Sequence, residues 1–255
     1  MNVVGGVGRF FFSLAVAAFA VQHFIYARVG EGLGPPWTPV SPLGAWVMGA
    51  VLLATAVSLV VGVKSAVSVL LLALALGLRF VIIYVPRIIA NPRDPGPWTS
   101  GFEILAMCGV ALFLFWSLPA QPNAWPPASG GPIRALATFL FAALWIVVGV
   151  QHFHYAHFVA TLVPAWIPWP LFWAYFVGTT FFATALALIV NKLASLATSL
   201  LGIMFLLFVL IVHAPRITAA QHNANEWTSG FIALAMSGGG LVAAGALALH
   251  THRST

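Results

Sequence analysis

An all-α integral membrane protein of eight transmembrane helices, built as two parallel four-helix repeats, is the fold this sequence predicts. Three observations carry that expectation: the poverty of charge, the length of the apolar runs, and a set of motifs that returns at one fixed spacing. Of the 255 residues, 62% are hydrophobic and 5% are charged, and the mean hydropathy is +1.03. A soluble domain carries about a quarter charged residues, so this chain has too few to cover a water-facing surface. The apolar runs last about 18 to 22 residues, the length a helix needs to cross roughly 30 Å of hydrocarbon. The strand-period alternation of a transmembrane barrel is absent.

The first helix is expected at about residues 7–28, behind a short polar start with Arg9. A secretory signal peptide is the competing reading. It fails because no small-residue cleavage site leads into a polar region, and because the last turn carries a motif that recurs inside a later helix. Helices follow at about 43–63, 66–85 and 101–118, then at about 133–157, 171–190, 194–213 and 229–249. Residues 119–132, rich in Pro, Ala and Gly, form the linker between a first unit, 1–118, and a second, 133–255.

The motifs define the repeat. Gln22-His23-Phe24-x-Tyr26-Ala27 returns 129 positions later as Gln151-His152-Phe153-x-Tyr155-Ala156. At the same offset Leu33, Pro35, Trp37 and Pro39 meet Leu162, Pro164, Trp166 and Pro168, and Pro86-Arg87-Ile88 meets Pro215-Arg216-Ile217. Trp98-Thr99-Ser100-Gly101-Phe102 likewise meets Trp227-Thr228-Ser229-Gly230-Phe231. Four crossings return a chain to its starting side, so the units are parallel repeats about an axis along the membrane normal. The motifs then fall at the ends of the first and third helices and the start of the fourth, all on one membrane face.

The other face holds both termini with Arg9, Lys64, Arg134, Lys192 and Arg253, against Arg28, Arg87, Arg93 and Arg216 on the motif face; Arg79 falls within the third helix. The excess of basic residues leans toward cytoplasmic termini and a periplasmic or extracellular motif face, in a bacterial cytoplasmic membrane. The formal charge of +6 comes from few acids rather than from a basic cluster, which argues against a nucleic-acid partner. The single cysteine, Cys108, excludes an internal disulfide, a CxxC pair and a cysteine zinc site.

Ionisable side chains at membrane depth point into a bundle and mark functional sites, which recommends His23, His152, Arg87, Arg216 and Glu103. Gln22, His23 and Tyr26 cluster on neighbouring parts of one helical surface, as do Gln151, His152 and Tyr155. Their structural alternative is hydrogen-bonding glue between helices. Arg87 and Arg216 can satisfy the carbonyls of a helix end, or hold a carbonyl, carboxylate or anionic head group. Glu103 breaks the symmetry, since Ile232 occupies its matching position; it reads as the end of a Ser100-x-x-Glu103 capping box or as a proton-transfer group. Trp98 and Trp227 read as interfacial belt residues or as walls for a ring-shaped ligand. The second unit gains His154, His157 and His213, and His152 with His213 is the best cross-helix pair for a metal or haem, although no carboxylate accompanies them.

The His-Phe-x-Tyr motif with its Pro-x-Trp-x-Pro loop, and Pro-Arg-Ile followed by Trp-Thr-Ser-Gly-Phe-Glu, resemble the DoxX-like group of the DoxX/DoxD superfamily. Each unit resembles one copy nearly end to end. The resemblance implies a small four-helix membrane fold, and some of the superfamily belong to thiosulfate:quinone oxidoreductases or to membrane complexes of oxidant defence. It transfers no agreed catalytic set. The expected function is a quinone- or lipid-binding subunit of a membrane redox complex. A non-catalytic accessory subunit and a parallel-repeat transporter are the alternatives. Membrane lipids and other complex subunits are the expected partners, with quinone the expected cofactor ahead of haem or metal. No haem or iron–sulfur motif is readable, so a redox role needs a donor from elsewhere.

Overall fold

A computed structural model describes residues 2–26, 42–63, 65–118 and 131–251. The Leu33 to Pro39 motif, Arg28, Lys64, residues 119–130 of the linker and Arg253 lie outside the described residues. Eight helices are long and apolar enough to cross a membrane: α1 (Val3–Ile25), α2 (Pro42–Val61), α3 (Ser65–Ala90), α4 (Pro95–Trp116), α5 (Gly131–His154), α6 (Pro170–Val190), α7 (Ala194–Ala219) and α8 (Ala224–Thr251). A short helix, Ala156–Ala160, follows α5. Every regular element among the described residues is helical.

Three of the expected boundaries move for a local reason. The third and seventh helices run past Pro86 and Pro215 because each widens into a π-turn, at Phe80–Tyr84 and Val209–His213. Proline removes an N–H and crowds the carbonyl one turn earlier. The wider turn takes up both effects, so the helix continues to Ala90 or Ala219. The fourth helix starts at Pro95, six residues before the expected start, because the Asp94 side chain accepts a hydrogen bond from Gly96 N–H at 3.0 Å and Pro95 fits the first turn. Ser100 and Glu103 therefore sit inside α4, and the capping-box reading of that pair is wrong.

The packing joins distant parts of the chain. α1 lies along α8 and α2, while α5 lies along α4 and α6; α4 and α8 also touch each other. Lipid offers helices no hydrophobic drive to associate, so close approach depends on small residues that let backbones meet. A Cβ on Gly238 of α8 would lie 2.5 Å from Phe12 N and 2.8 Å from Gly8 O of α1. A Cβ on Gly109 of α4 would lie 3.0 Å from Phe141 N and 2.8 Å from Ala137 O of α5. Gly109, Ala137 and Phe141 stand 129 positions from Gly238, Gly8 and Phe12, so one contact occurs twice. Cys108 Sγ donates to Ala73 O at 3.3 Å where Ser237 Oγ donates to Gly202 O at 2.8 Å, again at matching positions. Cys108→Ser is accordingly expected to shift the unfolding midpoint little, because serine already makes this bond at the matching site.

Helices α4 and α8 are the most enclosed of the eight, whereas α3 and α7 turn most of their surface outward. That outer surface is apolar, as in Leu71, Leu74 and Leu78 of α3 and Leu196, Leu200 and Leu207 of α7. A lipid-facing exterior accounts for those residues without a water-filled surface.

Candidate functional site

The polar motifs meet at one end of the bundle. Gln22, buried near the end of α1, donates through Nε2 to Thr228 Oγ1 of α8 at 3.1 Å. Thr99 Oγ1 of α4 donates to Gln151 Oε1 of α5 at 2.7 Å, and Gln151 Nε2 donates to Pro95 O at 3.1 Å. Each glutamine thus engages the threonine of the Trp-Thr-Ser-Gly-Phe motif from the other half of the chain. An amide buried between membrane helices needs such partners, because no water is present to replace them. Gln22→Leu is expected to cost about 0.5–1.5 kcal/mol in an unfolding titration, the usual worth of an interhelical hydrogen bond. Thr228 still bonds Ala224 O at 2.9 Å in that variant, so no second orphan is created.

His23 and His152 share a second arrangement. Nδ1 of His23 lies 2.8 Å from Phe19 O, and Nδ1 of His152 lies 2.8 Å from Val148 O. A carbonyl only accepts, so Nδ1 carries the proton in both rings and Nε2 presents its lone pair. Neighbouring residues serve different helices here: Gln22 faces α8, whereas a Cβ on Gly49 of α2 would meet the His23 Cβ at 3.2 Å. His152 is placed alike against Gly178 of α6. Tyr26 caps α1 through its N–H to Gln22 O at 2.8 Å and exposes its ring. Tyr155 repeats that bond to Gln151 O at 2.8 Å, and its ring meets His154 edge-on at 4.6 Å.

The cations follow the π-turns. Arg216 pairs with Glu226 at 3.0 Å across the turn from α7 into α8. With the arginine side chain 43% exposed, Glu226→Gln is expected to change stability by less than about 1 kcal/mol in thermal unfolding. Arg87 is half-buried at the matching position, and Pro97 occupies the place in the sequence that corresponds to Glu226. His213 lies within electrostatic reach of Arg216 and Glu226, and its buried Nδ1 has no hydrogen-bond partner. Glu103 is half-buried in α4, seven residues before Val110, which packs against Gly239 of α8. Seven residues return a helix to nearly the same face, so Glu103 lies on the side of α4 that meets α8.

Trp98 and Trp227 are pinned rather than loose in an interface. Trp98 Nε1 donates to Pro92 O at 3.0 Å and its ring stacks on Phe102 at 5.8 Å. Trp227 Nε1 donates to Gln221 O at 2.9 Å and stacks on Phe231 at 5.8 Å. Both rings close the turn that precedes their helix. An apolar groove runs along the outside of α2 from Phe24 past Leu53 and Val57 to Val63.

The bundle end therefore gathers both glutamines, and it adds groups the sequence reading did not single out as site residues: Thr99, Thr228 and Glu226. The two threonines were legible, since they occupy matching places inside a repeated motif. His152 packs at α6 and His213 at the α7–α8 contact, and no group of three or more His, Cys, Asp or Glu side chains suited to a metal occurs among the described residues. The chain has the architecture of a helical membrane protein with a polar cluster at one bundle end. Comparisons with protein families, with curated proteins and with solved structures find no match for this chain.

Proposed function

We propose that this chain is a DoxX-like membrane protein of two fused four-helix units, with cytoplasmic termini, that binds a quinone or lipid head group as a subunit of a membrane redox complex. The observation that supports it best is the pair of histidines held as Nδ1–H tautomers near the end of α1 and α5, each offering Nε2. The recurrence of contacts at an offset of 129 supports the fused units: the paired glutamine clasps, the two π-turns and the two glycine contacts all obey it. An imidazole nitrogen that accepts and a guanidinium that donates suit the hydroxyl and carbonyl of a lipid-soluble ring. Electrons come from a partner subunit in this reading.

Gentle purification followed by mass spectrometry of the extracted small molecules, with visible spectroscopy and metal analysis, tests it. One quinone per chain is the expected result. Its absence, with stably co-purifying subunits, favours a non-catalytic accessory role instead.

A further inference from the structure

Helices α4 and α8 hold matching places in the two halves, and they meet along a seam of matching residues. A Cβ on Gly239 would lie 2.6 Å from Val110 Cγ2. Gly239 and Val110 stand 129 positions apart, so the pseudo-twofold axis passes between them. Steps of four and seven residues toward the motif end keep to the same side of each helix. They reach Ala106 and Ala235, then Glu103 and Ile232. One more step of four reaches Thr99 and Thr228, whose hydroxyls engage Gln151 and Gln22. Glu103 therefore sits on the axis between the halves, one turn inside a layer of two hydroxyls and two amides.

The seam closes on one side of Glu103 and opens on the other. Ala106, Val110 and Ala235 are fully buried, and Gly239 is buried with them. Glu103, Ile232, Thr99 and Thr228 are only half-buried. The carboxyl is thus reached from the motif end, past hydroxyls and amides, and beyond it lie tight apolar contacts.

Glu103 follows Pro95, the first residue of α4, by eight positions, or about 12 Å along a helix that crosses the membrane. A carboxylate at that depth needs a positive partner, since hydrocarbon offers no water to solvate its charge. On the helices packed against this part of α4 the charged or titratable groups are Arg79, Tyr84 and Arg87 of α3, His152 and His154 of α5, and Glu226 of α8. On α4 and its cap they are Asp94, which accepts from Gly96 N–H, and Cys108, which donates to Ala73 O. None of these groups ion-pairs or hydrogen-bonds with Glu103, which has no such partner among the described residues. One uncompensated negative charge calls for one positive charge from outside the chain. A divalent ion would need several oxygen ligands and more charge than this single carboxylate supplies.

We propose that Glu103 is the binding site of a monovalent cation, a proton or Na+, on the axis between the halves and open only to the motif face. Both ions neutralise the carboxylate, which is the chemistry they share. The site occurs once per chain, because Ile232 replaces the acid in the second half. With the far side closed, the ion enters and leaves by one face, so the site loads and unloads without conducting. It does not rest on quinone or lipid binding, and the two readings fail separately.

Difference infrared spectroscopy of the full chain against Glu103→Gln, both in phosphatidylcholine nanodiscs, reads this carboxyl directly. In sodium-free choline buffer at neutral pH, the expected result is the carbonyl stretch of one protonated carboxylic acid per chain, absent from the variant. If Na+ is the occupant, adding NaCl at constant pH converts that band to a carboxylate stretch and choline chloride does not. If the proton is the occupant, only a rise in pH converts it. An ionised Glu103 in the sodium-free buffer at neutral pH overturns the proposal. Thermal unfolding gives a second readout. Glutamine copies the neutral acid in shape and charge, so Glu103→Gln is expected to unfold at the temperature of the unsubstituted chain. A fall of several degrees would reveal a cation partner within the protein and overturn the proposal as well. A proton or sodium current through proteoliposomes that Glu103→Gln abolishes would overturn the closed far side.

Discussion

Gly238→Ala is expected to destabilise the bundle by about 2 kcal/mol or more, at the upper end of what a single added methyl costs in a packed core. Gly238, Gly239 and Gly240 are consecutive on α8 and point about 100° apart, so each meets a different neighbour. A Cβ on Gly238 collides with the α1 backbone at Phe12 N, 2.5 Å away. On Gly240 it collides with the α7 backbone, at Gly202 N and Thr198 O, both 2.8 Å away. On Gly239 it meets side chains and no backbone, Val110 at 2.6 Å and the Phe141 ring at 3.4 Å, and a rotamer change of Val110 can relieve the closer contact. The expected order of damage is therefore Gly238 and Gly240 above Gly239. Gly6→Ala is the control: nothing lies within 4 Å of its Cβ, and alanine there gains about 0.8–1 kcal/mol of helix propensity. Thermal unfolding in detergent of the four variants reads the order directly. Equal effects at all four positions would show that α8 is not the close-packed centre.

Trp145→Ala is the second large effect, expected at about 3–5 kcal/mol. Trp145 is fully buried, with ring centroids of Phe141 and Phe181 at 5.3 Å and of Phe205 at 5.4 Å. Its removal leaves a cavity that three rigid rings cannot collapse into. The indole N–H has no hydrogen-bond partner, so Trp145→Phe loses volume but also relieves an orphaned donor. That variant is expected to cost less than about 1.5 kcal/mol. Equal losses in the two variants, measured by denaturant titration, would point to a role for the indole nitrogen instead.

The number of spans and the face that gathers the motifs were legible because each rests on a local property: the length of an apolar run, or the direction of successive crossings. Boundaries were less so. Pro86 reads as a helix end because a proline cannot continue a regular α-helix, and the sequence does not announce the π-turn that lets it. Asp94-Pro95-Gly96-Pro97 reads as a loop, although Asp94 caps a helix whose first turn tolerates proline. The partner of each glutamine was the least legible feature. Nothing local to Gln22 distinguishes Thr99 from Thr228, since both sit in the same motif; only the packing of α1 along α8 makes the choice.

The crosswise engagement of the halves is what brings the motif face together, and cross-linking tests it most directly. In a Cys108→Ser background with a protease site inserted between residues 118 and 131, cysteines replace Gln22 and Thr228, or Gln22 and Thr99. A short bifunctional maleimide is then added before cleavage. The first pair is predicted to hold the two fragments together on a denaturing gel, and the second pair to leave them separate and unlinked. Fragments that separate in the first variant, with a Gln22-to-Thr99 link found inside the first fragment of the second, would contradict the account.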